Sequence, residues 1–195
     1  MKNQMEKLNE MHKQMKQIIR NQNVIMDKMG LERWQKIDGY PNYSVSTFGR
    51  VRNDKFNRIL KPGTDKDGYY VVVLCNSGMK KTMKFHRIVA NTFIENPEKK
   101  PCVDHIDNNR TNNNIKNLRF ATIKENNQNA SISKLNTSGT KGICWNKKAK
   151  KWHAKIYING KSKHLGIFEN INEAKIARTK AANKHFGEYI NSCEQ

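Results

Sequence analysis

Residues 101–127 read PCVDHIDNNRTNNNIKNLRFATIKENN, which sets an aspartate beside a histidine with asparagines at fixed distances downstream. Asp104 is a hard oxygen ligand. His105 takes a proton near neutral pH, its ordinary pKa being about 6.5. Asn117 and Asn126 can orient a neighbour or offer an amide oxygen. Arg110 and Arg119 lie within the same stretch, one in the loop and one in the second strand, and either could meet a phosphate or the charge of a transition state. One carboxylate and one amide oxygen around a cation, completed by water and a phosphate oxygen, is chemistry suited to cleaving a phosphodiester.

Neighbouring residues on a regular strand face opposite ways, so Asp104 and His105 can serve one site only if the strand bends or ends there. A small ββα unit meets that need. The pattern predicts a first strand over 102–107, an Asn-rich loop over 107–117, a second strand over 118–121 and a helix from Ile123 onward. Thr122 and Glu125 have the spacing of a capping box for that helix, and Asn126 falls at the end of its first turn. A calcium loop starting at Asp104 or Asp107 is excluded, because no Gly or closing Glu stands at the required spacing.

Residues 85–126, FHRIVANTFIENPEKKPCVDHIDNNRTNNNIKNLRFATIKEN, resemble the HNH endonuclease family in its phage and intron homing form. The resemblance implies that Asp104 and Asn126 bind the metal, that His105 activates water and that Asn117 holds the histidine in its working orientation. Asp replaces the first His of the namesake motif and Asn the last. Oxygen ligands favour one magnesium or manganese per site over softer ions. His86 belongs to the family pattern but lies outside this constellation, and a structural role is expected for it.

The composition agrees with a nucleic-acid partner. Thirty-seven Lys plus Arg against 17 Asp plus Glu leave a net charge of +20 on 195 residues, for which phosphate is the natural counter-charge. No long apolar run and no signal peptide are visible, so neither membrane insertion nor secretion is expected. Cys75, Cys102, Cys144 and Cys193 form no C-x-x-C pair, which argues against a zinc ribbon or a disulfide framework and for an intracellular protein. Nothing in the pattern calls for a small-molecule cofactor.

The expected fold is α+β, built from small modules. Residues 1–30 carry Met1, Met5, Leu8, Met15, Ile19, Met26 and Met29 at alternating spacings of four and three, with His12 and Gln22 interrupting, and Met11, Ile18 and Ile25 widening the stripe. This predicts a helix that pairs as a coiled coil, lies on the body or frays in the free protein. Residues 31–84 read as short strands over 43–51, 58–61, 69–75 and 81–85. Their opening, ERWQKIDGYPNYSVSTFGRVRN, resembles the NUMOD4 module. Trp34 and Phe48 are expected in the core, and Arg50 and Arg52 on one strand face are candidate phosphate contacts. A helix over 86–93 leads into the HNH-like unit, 85–127.

Residues 128–138 have linker composition, and 139–195 follow as a last module. No acidic residue stands between Glu125 and Glu169. Strands are predicted over 143–146, 152–158 and 163–168, with Asn159-Gly160 as a hairpin turn, then a helix over 172–185. The run from Gly139 to Tyr189 resembles the AP2 DNA-binding domain, whose sheet lies in the major groove. By position, the resemblance implies that Lys141, Lys147, Lys155, Tyr157 and His164 occupy places where relatives contact DNA, with Lys163 beside them. Cys144 stands where plant members carry a DNA-contacting Arg, and several other family Arg positions are Lys or other residues. Lys is a point charge rather than a fork, so phosphate contact should outweigh base readout.

The combined expectation is a metal-dependent endonuclease on double-stranded DNA, cutting to a 5′ phosphate and a 3′ hydroxyl and nicking as a monomer unless the first helix makes it a dimer. The module set resembles phage or large-virus mobile elements. The alternatives are a non-cleaving DNA-binding regulator with a degenerate HNH unit, or a packaging protein that uses only its charge.

Overall fold

A computed structural model describes residues 2–133 and 135–191; Met1, Lys134 and 192–195, including Cys193, lie outside them. With neither Pro nor Gly before position 30, the Met-rich segment is helical as α1 (Lys2–Lys28). Gly30, at φ +68°, ends it, and the Leu31 N–H reaches back to the Met26 carbonyl at 2.9 Å, a left-handed cap that satisfies a terminal carbonyl. The apolar stripe is not laid on the body: Leu8, Met15 and Ile18 are each more than half exposed. A lateral tie is the ion pair of Arg20 with Glu95, both exposed.

Two small antiparallel sheets follow. The first is β1 (Trp34–Ile37), β2 (Tyr40–Ser46), β3 (Val51–Asn53) and β4 (Arg58–Ile59), in that order. The second is β5 (Gly63–Thr64), β6 (Tyr70–Asn76) and β7 (Met79–Lys84). The single strand expected over 43–51 is therefore two, broken at a turn where Gly49 has φ +79°. A Cβ on Gly49 would lie 2.6 Å from the Asn113 carbonyl oxygen, so the turn needs glycine both for its backbone and for the loop pressed against it.

Helix α2 (Phe85–Phe93) leads to the hairpin of β8 (Cys102–His105) and β9 (Leu118–Ala121), and α3 (Ile123–Asn129) closes the unit. The first hairpin strand ends at His105, two residues short of expectation, because the chain turns through Asn108 at φ +60°. The capping box is present: Thr122 Oγ1 accepts from the Glu125 N–H at 3.2 Å, and Glu125 accepts from the Thr122 N–H at 2.7 Å. Ile37, Val45, Val51, Leu74, Phe85, Ile88, Val89, Val103 and Leu118 form a single apolar cluster. Strands of two to seven residues cannot enclose a core alone, and here the segments 31–84 and 85–121 share one.

The last unit is a three-stranded sheet, β10 (Ile143–Asn146), β11 (Lys151–Ile158) and β12 (Lys161–Phe168), with α4 (Ile171–Phe186) across β11 and β12. Asn159 and Gly160 turn at φ +51° and +76°, both positive as a two-residue hairpin requires. Ile156, Ala182, Phe186 and Ile190 pack together, as do Ile143, Ala154 and Ala174. Among the described residues no helix is long and apolar enough to cross a membrane.

Candidate active site and nucleic-acid interface

The hairpin register sets Asp104 opposite Arg119, so these two side chains share a face as a cross-strand pair. Arg119 Nε donates to Asp104 Oδ2 at 2.9 Å, and Nη2 lies 2.9 Å from the same oxygen. Asn129 Nδ2 reaches Oδ1 and Oδ2 at 3.1 and 3.0 Å and the His105 carbonyl at 2.9 Å. Asp104 is 5% exposed and Asn129 fully buried. A buried carboxylate needs such compensation. Among the described residues Oδ1 receives only Asn129, which leaves lone-pair capacity on that oxygen.

Asp104, His105, Asn108, Arg110 and Asn126 line one pocket of about 290 Å3, with Tyr69 from the strand-rich module and Ala130 and Ser131 after α3. The structure thus brings together both proposed metal residues, the proposed base and one of the two arginines. Arg110 stacks on Tyr69 at 5.0 Å, and its guanidinium donates to the Asp67 carbonyl. Arg119 is the other case: it is paired with Asp104, only 14% exposed, and not among the residues that line this pocket.

Asn117 does not touch the imidazole. Its Nδ2 donates to Asp107 Oδ1 and to the Asn112 carbonyl, each at 2.8 Å, and its Oδ1 accepts from the Asp107 N–H at 3.0 Å, so it braces the loop. Asn113 takes the expected place, with Oδ1 3.2 Å from His105 Nε2. Because Asn113 Nδ2 donates to the Thr111 carbonyl at 3.2 Å, its oxygen faces the ring, which puts the imidazole proton on Nε2 and the lone pair on Nδ1. Nothing in the Asn-rich run distinguishes Asn113 from its neighbours before the loop is folded against Gly49.

Burial lowers the His105 pKa, against the Asn113 hydrogen bond and the Asp107 and Asp104 charges, which raise it. His86 lies edge-on to His105 with ring centres 5.0 Å apart and 4.8 Å from Tyr69. Burial first, then the neighbouring positive groups, pushes its pKa down to about 3. It is a neutral packing partner of the His105 ring and does not line the pocket, in keeping with the structural role expected.

The phosphate roles expected of Arg50 and Arg52 do not fit their surroundings. Arg50 is paired with Glu32 and Arg52 with Asp54, and both guanidiniums stack on Trp34, at 5.5 and 4.6 Å. Trp34 is a platform for these arginines instead of a core residue, and Phe48, in the turn after β2, is 44% exposed.

In the C-terminal sheet, Ala154 and Ile156 turn toward α4, so His153, Lys155 and Tyr157 present the open face. His164 pairs with Lys155 and joins that face, its ring 5.7 Å from His153. Lys163 pairs with Ile156 and so falls on the opposite face, because a bulge after Ala154 shifts the register. Lys141 Nζ is bound to the Gln128 carbonyl at 2.7 Å and ties down the linker. Lys147 is exposed in the β10–β11 turn. His153 was the residue to find by alternation along β11. A groove of about 740 Å3 between α3 and β11, lined by Ile123, Lys124, Lys155 and Tyr157, meets the site pocket at Ala130 and Ser131.

Residues 84–128 match the HNH endonuclease family model, and residues 32–75 match the NUMOD4 motif. The chain carries an HNH endonuclease segment. It is 44% identical over 97 residues to the uncharacterized HNH endonuclease L245 of Acanthamoeba polyphaga mimivirus, covering 47% of this chain and 29% of that protein. To DNA endonuclease I-HmuI of Bacillus phage SP01 it is 41% identical over 112 residues, 56% and 64% of the two chains. To H-N-H endonuclease F-TflII of Escherichia phage T5 it is 30% identical over 113 residues, 57% and 58%. The chain thus spans less than two thirds of each of these relatives. A solved structure described as DNA binding and cleavage by the HNH homing endonuclease I-HmuI aligns over 78% of this chain and 82% of its own, at 33% identity and a TM-score of 0.48.

Proposed function

We propose that this chain is a metal-dependent DNA endonuclease whose C-terminal sheet, AP2-like in sequence, holds the duplex near the cutting site. The observation that carries the reading is the single pocket uniting Asp104, His105, Asn126 and Arg110 inside the segment that matches the HNH family. The donor set, one carboxylate and one amide oxygen lining the same pocket, fits a hard cation completed by water and phosphate oxygen, and Asp104 Oδ1 keeps bonding capacity. Asp104 and Asn126 would hold magnesium or manganese, which when bound stabilises charge on the phosphate and the departing 3′ oxygen.

The rest is done by the chain's own groups. His105, neutral at pH 7 and with its proton fixed on Nε2 by Asn113, takes a proton from the attacking water at Nδ1. Arg110 meets the phosphate from the pocket rim. Arg119 stays with Asp104. On the C-terminal sheet, Lys155, Tyr157 and His164, with His153 added and Lys147 at the turn, face the DNA, and the groove beside α3 supports a path from that face to the pocket. Each site cuts one strand of intracellular DNA, with a 5′ phosphate and a 3′ hydroxyl as products, so a single engaged chain leaves a nick.

The test follows supercoiled plasmid with magnesium or manganese, comparing the natural chain with His105→Ala. Metal-dependent open circles from the natural chain alone are expected. Binding without cutting, in either metal and across plasmids of varied sequence, would favour the non-cleaving regulator.

A further inference from the structure

The two groups that hold Asp104 are themselves held by a segment distant in sequence. After α4 the chain makes a short turn, Gly187–Tyr189, and continues through Ile190 and Asn191. Tyr189 and Asn191 are 8% and 3% exposed. The Arg119 guanidinium lies over the Tyr189 ring at 4.1 Å and donates to the Glu188 carbonyl. Asn191 Nδ2 donates to the Asn129 carbonyl and approaches Asn129 Oδ1 at 3.4 Å. Tyr189 Oη also donates to the Phe120 carbonyl at 3.2 Å and accepts from Lys100 Nζ at 3.4 Å. The same segment is anchored in the C-terminal unit, since Phe186 and Ile190 belong to its core.

From this we infer that Tyr189 and Asn191 are positioning residues of the nuclease site, fixing the Asp104 carboxylate for a divalent cation through Arg119 and Asn129. The inference rests on the proposed metal site. Arg119 and Asn129 between them occupy Oδ2 and one direction of Oδ1, which fixes the carboxylate plane and the direction left for a ligand. A carboxylate free to turn about its χ angles presents that oxygen only part of the time. Partners behind a ligand commonly change metal affinity ten- to a hundredfold when removed. The C-terminal unit therefore completes the site as well as carrying the sheet proposed for DNA.

The experiment titrates manganese alone into the full chain without DNA, by calorimetry, and measures DNA affinity separately in a chelator. Tyr189→Leu and Asn191→Ala are each expected to weaken manganese binding about tenfold while DNA affinity stays unchanged. Tyr189→Phe, which keeps the ring over Arg119 but loses the bond to Phe120, should bind manganese like the natural chain. Natural affinity in both Tyr189→Leu and Asn191→Ala would overturn the inference. So would an equal loss in Tyr189→Phe and Tyr189→Leu, which would mark the residue as merely structural. Asp104→Ala separates the two levels: manganese binding that survives it overturns the metal site itself.

Discussion

Replacing Asn113 and replacing Asn117 should have different consequences, although both are asparagines of one loop. Asn113→Ala removes the acceptor 3.2 Å from His105 Nε2 on a ring that is 5% exposed. A buried donor left without a partner costs about 1–3 kcal/mol. The proton can then move to Nδ1, or the ring can turn. In either case the base is misplaced, and at 1.4 kcal/mol per factor of ten the cutting rate should fall roughly 5- to 150-fold. Asn117→Ala removes three hydrogen bonds that brace the Asp107 turn and none to the imidazole. A loss of about 2 kcal/mol there lowers the melting temperature by roughly 4–8 °C in a chain of this size. Cutting by that variant should recover at low temperature. The assay is plasmid nicking under single-turnover conditions at two temperatures, alongside thermal unfolding and DNA affinity. If Asn113→Ala cuts at the natural rate while folded Asn117→Ala does not, the orienting role belongs to Asn117, as the family resemblance implied, and the reasoning from this geometry is wrong.

Three further outcomes are expected. His86 is neutral in the fold, with a pKa near 3 against an ordinary 6.5, so the unfolded chain binds the extra proton as pH falls. Stability should therefore decline by about 1.6 kcal/mol between pH 6.5 and pH 5, and His86→Phe should flatten that slope in unfolding experiments; parallel slopes would contradict it. On the C-terminal sheet, Lys155→Ala and Tyr157→Ala should weaken DNA binding more than Lys163→Ala, measured by fluorescence anisotropy at fixed salt, because Lys163 falls on the face toward α4. For α1, a stripe this exposed with a heptad spacing fits a two-stranded pairing. Light scattering should report a dimer that Ile19→Glu returns to monomer, whereas a natural chain that stays monomeric at high concentration would refute the pairing.

Features encoded by neighbours in sequence were legible before the fold was known. The Thr122–Glu125 box and the Asn159-Gly160 turn each need only four residues or fewer, and both are present with the expected geometry. That Asp104, His105 and Asn126 meet in one pocket was also legible, since they are spaced by one hairpin and one helical turn. The support around them was not. Asn113 against Gly49, Asn129 against Asp104 and Tyr189 against Arg119 join residues from separate elements, and a run such as NNRTNNN offers no local reason to prefer one asparagine. Lys163 shows a different limit: one bulge in β12's pairing moves a side chain to the other face of the sheet. Arg50 and Arg52 show a third, since a surface arginine reads as a phosphate contact until the carboxylate beside it is seen.

The core shared by the strand-rich segment and the hairpin limits how this protein can be recombined. Val45 and Val51 pack in one cluster with Val103 and Leu118, and the turn at Gly49 presses on the loop that carries Asn113. A chimera joined between residues 84 and 85 would cut through that cluster, leaving each parent's half to meet a surface shaped for another partner. A junction within 128–138 leaves the cluster whole. Exchange of C-terminal sheets between related chains should therefore succeed there when the tail that reaches Arg119 and Asn129 is matched to the recipient hairpin.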